Sequence, residues 1–139
     1  MIVAGVIAPQ RSDDLSVSSK GFPRSARLLR HADFERVYKQ GKRHFAAHMT
    51  VFYAQRVEGE GMRVGFTVGR VLGGAVQRNR MKRRLREAVR LQGFQPGVAA
   101  DVVINPKKSL LTAEFSMVQG EVAKAFQVIE QKLGERRTT

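Results

Sequence analysis

The chain has 139 residues, no cysteine, and 25 Lys and Arg against 12 Asp and Glu, a formal net charge of +13. The lack of cysteine excludes a disulfide framework or a thiolate metal site and fits a reducing, cytoplasmic setting; the length suits one domain with a modest core. So large a surplus of cations predicts a polyanionic partner, with DNA, RNA or an anionic membrane surface all open at this point.

Residues 2–8 are apolar, yet no basic residue precedes them and the run is too short to cross a bilayer. Neither a signal peptide nor a membrane helix is expected. From 9 to 23 the composition turns to Ser, Asp, Gly and Pro without periodicity. Residues 1–24 therefore read as a flexible extension, 25–134 as the domain, and 135–139 as a tail.

Residues 28–40 carry the first helical pattern. Phe34, Val37 and Tyr38 stand at i, i+3, i+4, Asp33 and Glu35 occupy the first turn, and Gly41 is placed to end the helix in the left-handed conformation. Composition alone assigns Phe34 to the core and leaves the Tyr38 hydroxyl in water. A strand over 45–55 follows, with Phe45, Ala47, Met49, Val51 and Tyr53 alternating with Ala46, His48, Thr50, Phe52 and Ala54. Both sets carry apolar groups, so both faces are expected to be covered. After Gly59-Glu60-Gly61, residues 63–68 form a second strand with Val64, Phe66 and Val68 on one face, and the two are expected to pair as an antiparallel hairpin. The histidines His31, His44 and His48 show no metal-ligand spacing and read as surface or strand residues.

The stretch from Gly73 to Leu91 dominates the chain. Between Arg78 and Arg90 stand seven basic residues, Arg78, Arg80, Lys82, Arg83, Arg84, Arg86 and Arg90, against the single acid Glu87. On a helix, Met81, Leu85, Ala88 and Val89 share a narrow docking stripe while cations wrap the remaining faces. Like charges four apart destabilise a helix by roughly 0.2–0.5 kcal/mol per pair, and a merely solvated helix intersperses acids to avoid this. The repulsion left standing implies a polyanion across it. The preponderance of Arg favours bidentate phosphate contacts, and the Asn79 amide suits a base edge or a 2′-hydroxyl. The helix is expected to end near Gln92-Gly93. Asp101 to Ile104 reads as a short buried strand stopped by Asn105-Pro106, and Thr112 as the N-cap of a last helix. Phe115, Val118, Val122, Ala125, Phe126, Ile129 and Leu133 form the apolar stripe of that helix, and Gly134 ends it.

The run Gly73-x-Ala75-Val76-x-Arg78-Asn79-Arg80-x-Lys82-Arg83-x-x-Arg86-Glu87 resembles the signature of the bacterial ribonuclease P protein subunit, the small basic partner of a catalytic RNA. Asp33-Phe34-x-x-Val37-Tyr38-x-x-Gly41 and Arg63 to Val68 carry the resemblance further, from about Leu28 to Leu133. The resemblance implies an α+β fold, a two-layer α/β sandwich of α-β-β-α-β-α order like domain 2 of ribosomal protein S5, with a left-handed βαβ crossover. It implies RNA contacts from Arg70, Arg78, Asn79, Arg80, Lys82, Arg83 and Arg86. It also implies a cleft for the single-stranded 5′ leader of precursor tRNA at Phe34, Tyr38, Val51 and Tyr53, although packing is an equal reading of Tyr53 from the residues alone. Gly69-Arg70-Val71 stands where the family usually has a serine and two lysines, and Lys107-Lys108 where an arginine is usual.

No catalytic constellation is visible: the carboxylates are scattered and the histidines lack a nucleophile or metal set. By resemblance the chemistry belongs to a partner RNA and its Mg²⁺, which remove the leader to give the mature tRNA 5′ end. No obligate protein partner is expected. A ribosome-associated or RNA-chaperone protein would share the charge, and a DNA-binding helix with cations on nearly every outward position would bind almost without sequence preference.

Overall fold

The structure, a computed structural model, describes Arg27 and residues 30–56, 61–93 and 98–138, with side chains as far as Leu133. The expected extension over 1–24, the tail beyond Leu133 and the loop Gln95-Pro96-Gly97 lie outside the residues whose placement or side chains are described. The elements in order are α1 (His31–Gln40), β1 (Lys42–Phe45), β2 (Met49–Gln55), β3 (Met62–Phe66), α2 (Ala75–Gln92), β4 (Ala100–Pro106) and α3 (Phe115–Thr138). Single 3-10 turns cover Arg70–Leu72 and Lys108–Leu111.

The four strands form one mixed sheet in the order β1-β2-β4-β3. This corrects the expected hairpin: β4 lies between the two strands, antiparallel to β2 with Phe52 opposite Val103, and parallel to β3 with Val64 opposite Val102. The physical reason is in β4 itself. Val102, Val103 and Ile104 are all fully buried, so this strand needs cover on both faces and a neighbour on each edge, which only a central position provides. The expected strand over 45–55 is also divided. β1 ends at Phe45, the chain bends at Ala47 and His48, and β2 begins at Met49. Lys107 holds this bend, its backbone N–H reaching His48 O at 2.9 Å and its ammonium Ala46 O at 3.2 Å.

Alternation along β2 separates two cores. Met49, Val51 and Tyr53 join Val64, Phe66, Met81, Leu85, Val122 and Phe126 in the main core, formed by the sheet with α2 and α3. On the opposite face Ala54 and Val103 meet Phe34 and Val37 of α1, with Tyr38 and Phe52 at the margin. The stripes expected for α2 and α3 are buried, save that Phe115 is only partly covered. α3 begins at Phe115 and runs to Thr138, past Gly134. Thr112 therefore does not cap it. It closes the preceding 3-10 turn, donating its N–H to Ser109 O at 3.2 Å.

The small α1 core is reinforced by charge. Asp101 of β4 is fully buried and takes a bidentate pair of hydrogen bonds from Arg63, each 2.8 Å, and another from Arg36 of α1. Arg36 also donates to Gln55 O at 3.4 Å, while Asp33 lies 3.6 Å from Arg63 and Arg56 lies 3.8 Å from Asp101. The hydrogen bond to Asp101 raises the pKa of Arg63, whereas burial and then the neighbouring Arg63 lower that of Arg56. Gly41 turns the chain out of α1 with an extended backbone, φ −83° and ψ 172°. It is not left-handed as expected. A Cβ there would collide with the carbonyl oxygens of Val37 and Tyr53, so close approach rather than torsion demands glycine.

Candidate nucleic-acid interface

α2 leaves β3 through the 3-10 turn and two glycines. Gly73 has φ 139°, a conformation other residues adopt only with strain, and Gly74 occupies the N-cap without a side-chain hydrogen bond. Met81, Leu85, Ala88 and Val89 are fully buried, which fixes the rotation of the helix about its axis and so decides which cations face out. Asn79, Arg83, Arg86 and Arg90 then line up opposite the stripe at 3.6-residue periodicity, with Arg80 beside them. Arg70, Asn79, Arg80 and Arg83 are exposed, and Arg78, Lys82 and Arg86 are partly covered. Among the described residues, Arg70, Arg80 and Arg83 engage in no ion pair or side-chain hydrogen bond.

Three cations of the same helix serve the protein itself. Arg78 donates from Nε to Gly73 O at 3.2 Å, closing the helix N-terminus. Arg84 donates to Ala113 O and lies 6.0 Å above the Phe115 ring, tying α2 to the start of α3. Arg90 pairs with Glu87, whose carboxyl is thereby held below the usual carboxylate range. The exposed apolar residues Val71 and Val76 flank the beginning of this cationic surface, at 89% and 75% exposure.

The second part of the candidate interface lies between α1 and the sheet, and here the residues expected from sequence divide. Val51 and Tyr53 do not reach it: Val51 is fully buried and Tyr53 is 3% exposed, both in the main core on the opposite face of β2. Burial raises the Tyr53 pKa. Phe34 is also fully buried, as the wedge of α1 against Ala54 and Val103. Tyr38 is the one of the four that borders the cleft. Its hydroxyl is engaged within the protein, lying 2.8 Å from Thr67 Oγ1 and 2.9 Å from Asn105 Oδ1. One proton serves one acceptor at a time, and the threonine can donate in return. Burial raises the Tyr38 pKa, and the two hydrogen bonds partly offset this.

The residue that sequence reasoning missed is Phe52. It meets Tyr38 edge-on, ring centroids 4.8 Å apart at 76°, and remains partly exposed. Since Phe52 and Tyr53 are successive strand residues, an assignment wrong by one residue moves the site to the other face. Thr50, Phe52 and Asn105 give the cleft floor a mixed polar and aromatic character. Thr67 lies at the end of β3 from which the chain passes to α2, so the cleft and the cationic helix adjoin.

A family model described as "Ribonuclease P" matches residues 22–130. Among curated relatives, the "Ribonuclease P protein component" of Geobacter sp. (strain M21) is 37% identical over 116 residues, covering 84% of this chain and 98% of the relative. That of Oleidesulfovibrio alaskensis is 44% identical over 90 residues, 63% of this chain and 70% of the relative. Among solved structures, the RNase P protein from Thermotoga maritima superposes with a TM-score of 0.62 at 26% identity, covering 72% of this chain and 94% of that one. A mutant Staphylococcus aureus RNase P protein, at 23% identity, shares the fold with a TM-score of 0.68 over 87% of this chain and 98% of that one.

Proposed function

The chain belongs to the ribonuclease P protein family, and from that premise we propose that it is the protein component of a ribonucleoprotein that removes the 5′ leader of precursor tRNA. The observation that carries this reading is the orientation of α2: its apolar stripe is docked, and its arginine-rich face is turned outward without acidic partners at Arg80 and Arg83. Arg70, Arg78, Asn79, Arg80, Lys82, Arg83 and Arg86 anchor the protein on the catalytic RNA, chiefly through phosphate oxygens. Arg78 does so while its Nε braces the turn. The leader passes the adjoining cleft, where Tyr38 and Phe52 offer aromatic surface to unstacked bases and Thr50 and Asn105 offer hydrogen bonds.

The protein's contribution is positional and electrostatic. Asp33 and Asp101 are committed to guanidiniums, and among the described residues no three His, Asp or Glu side chains gather as a metal site requires. The Mg²⁺ that the reaction needs and the hydrolytic step are assigned to the partner RNA. Cytoplasmic residence goes with this role; among the described residues no helix is long and apolar enough to cross a membrane.

The test is to mix the purified protein with a bacterial ribonuclease P RNA at low Mg²⁺ and follow leader removal. The reading predicts stimulation over the RNA alone, and an unchanged rate contradicts it.

A further inference from the structure

The face of the sheet that carries Phe52 bears a second aromatic residue on β1, an outermost strand among those described. Register sets Arg43 beside Phe52 and Phe45 beside Thr50. Phe45 is two residues beyond Arg43, so both side chains leave the strand on the same side as Phe52. The Arg43 guanidinium carbon lies 5.8 Å from the centroid of Phe52 and 5.9 Å from that of Phe45, bridging the two rings. With Phe52 against Tyr38 at 4.8 Å, the four side chains make one ladder from beneath α1 to the edge of the sheet. Phe45 is 67% exposed. A phenylalanine left so far in water forgoes most of the stabilisation that burial of its ring would contribute, so its position is not explained by packing.

We propose that Phe45 and Arg43 form an additional subsite for the single-stranded leader, in which a base stacks on the exposed face of Phe45 and the Arg43 guanidinium meets an adjoining phosphate. The inference rests on the ribonuclease P reading and extends it past the cleft. RNA is favoured as the occupant by continuity with the Tyr38–Phe52 surface and by charge. Between Glu35 and Glu58 the sequence holds no acid, while Lys39, Lys42 and Arg43 all fall there.

The register also orders the track. Phe45 lies opposite Thr50, and Thr50 opposite Asn105, one row across the sheet at about 4.8 Å per strand. Its Asn105 end adjoins Thr67 and the passage to α2, and its Phe45 end is farthest from them. A leader emerging from the catalytic RNA held at α2 therefore meets Tyr38 and Phe52 first and Phe45 later, so Phe45 reads a nucleotide more distant from the cleavage point.

The experiment measures the affinity of the assembled protein–RNA holoenzyme for precursor tRNAs whose leaders are lengthened one nucleotide at a time. For Phe45→Ala, short leaders bind as in the wild type, and beyond a threshold length affinity falls about fivefold or more, the lower range of base–aromatic stacking. Phe45→Trp retains or tightens long-leader binding, and the loss with Phe52→Ala sets in at a shorter leader. If Phe45→Ala follows the wild type at every length while Phe52→Ala weakens binding, the subsite is overturned and the cleft stands. A loss with Phe45→Ala that is equal for leaderless and long-leader substrates also overturns it. If neither variant affects any leader, the leader-cleft reading itself fails.

Discussion

Two groups of arginines in this protein do opposite work. Arg36, Arg56 and Arg63 converge on the buried carboxylate of Asp101, where their charge is partly offset and turned inward to hold α1 on the sheet. Arg80 and Arg83 project from α2 and, among the described residues, pair with no carboxylate, and Arg70 stands exposed on the turn before it. Surplus charge alone does not identify an interface. What separates the groups is whether the backbone brings an acid to the cation, and in α2 the buried stripe of Met81, Leu85, Ala88 and Val89 turns the cations toward solvent instead.

The sharpest way to break the contrast is to remove the inward carboxylate. Asp101→Ala leaves Arg63 and Arg36 without their shared partner, and opening a buried pair on one side costs about 3–5 kcal/mol. Urea unfolding should show a loss of that order. A change below about 1 kcal/mol would mean that the inward arginines contribute little to the fold.

Arg84 sharpens the comparison within α2 itself, because it is as basic as its neighbours yet bonded to Ala113 O and seated over Phe115. Arg84→Ala should destabilise the protein by roughly 1–2 kcal/mol, since it removes both the charged hydrogen bond and the cation–ring interaction. It should leave the salt dependence of RNA binding unaltered.

The smallest effect is expected at Tyr38. Tyr38→Phe removes the hydrogen bonds to Thr67 and Asn105 at a cost of about 1 kcal/mol. Because burial raises the Tyr38 pKa, the folded state favours the neutral phenol. Its contribution is complete below the ordinary tyrosine value near 10 and is lost as pH climbs through the raised value. Unfolding measured across alkaline pH should therefore show the wild type losing its advantage over the variant only above the ordinary tyrosine value, with the gap unchanged below it.

Both the cationic helix and its docking stripe are legible in the sequence, because 3.6-residue periodicity leaves one arrangement that buries Met81, Leu85, Ala88 and Val89 together. The cleft is legible only in part. Along β2 both alternating sets carry apolar groups and an aromatic, so periodicity cannot say which set faces α1, and the expectation falls on Val51 and Tyr53 where Thr50 and Phe52 stand. Strand order is hidden for a different reason. Successive strands favour a hairpin by proximity, and the signal against it is the unbroken apolar run Val102-Val103-Ile104, which marks a strand covered on both faces. Thr112 has the chemistry of an N-cap, but the 3-10 turn before it uses its backbone N–H, and no periodic signal shows that turn. The Asp101 network joins residues far apart in sequence, and only the folded sheet brings them together.

The most direct test of the account is the salt dependence of affinity for the ribonuclease P RNA, measured for the wild type and for the double variant Arg80→Ala/Arg83→Ala. Removing one cation from a phosphate should flatten the log–log slope by about 0.7–0.9, so the double variant should be shallower by roughly 1.4–1.8, with folding stability within about 0.5 kcal/mol of the wild type. A slope equal to that of the wild type would contradict the claim that the outward face of α2 grips the RNA backbone.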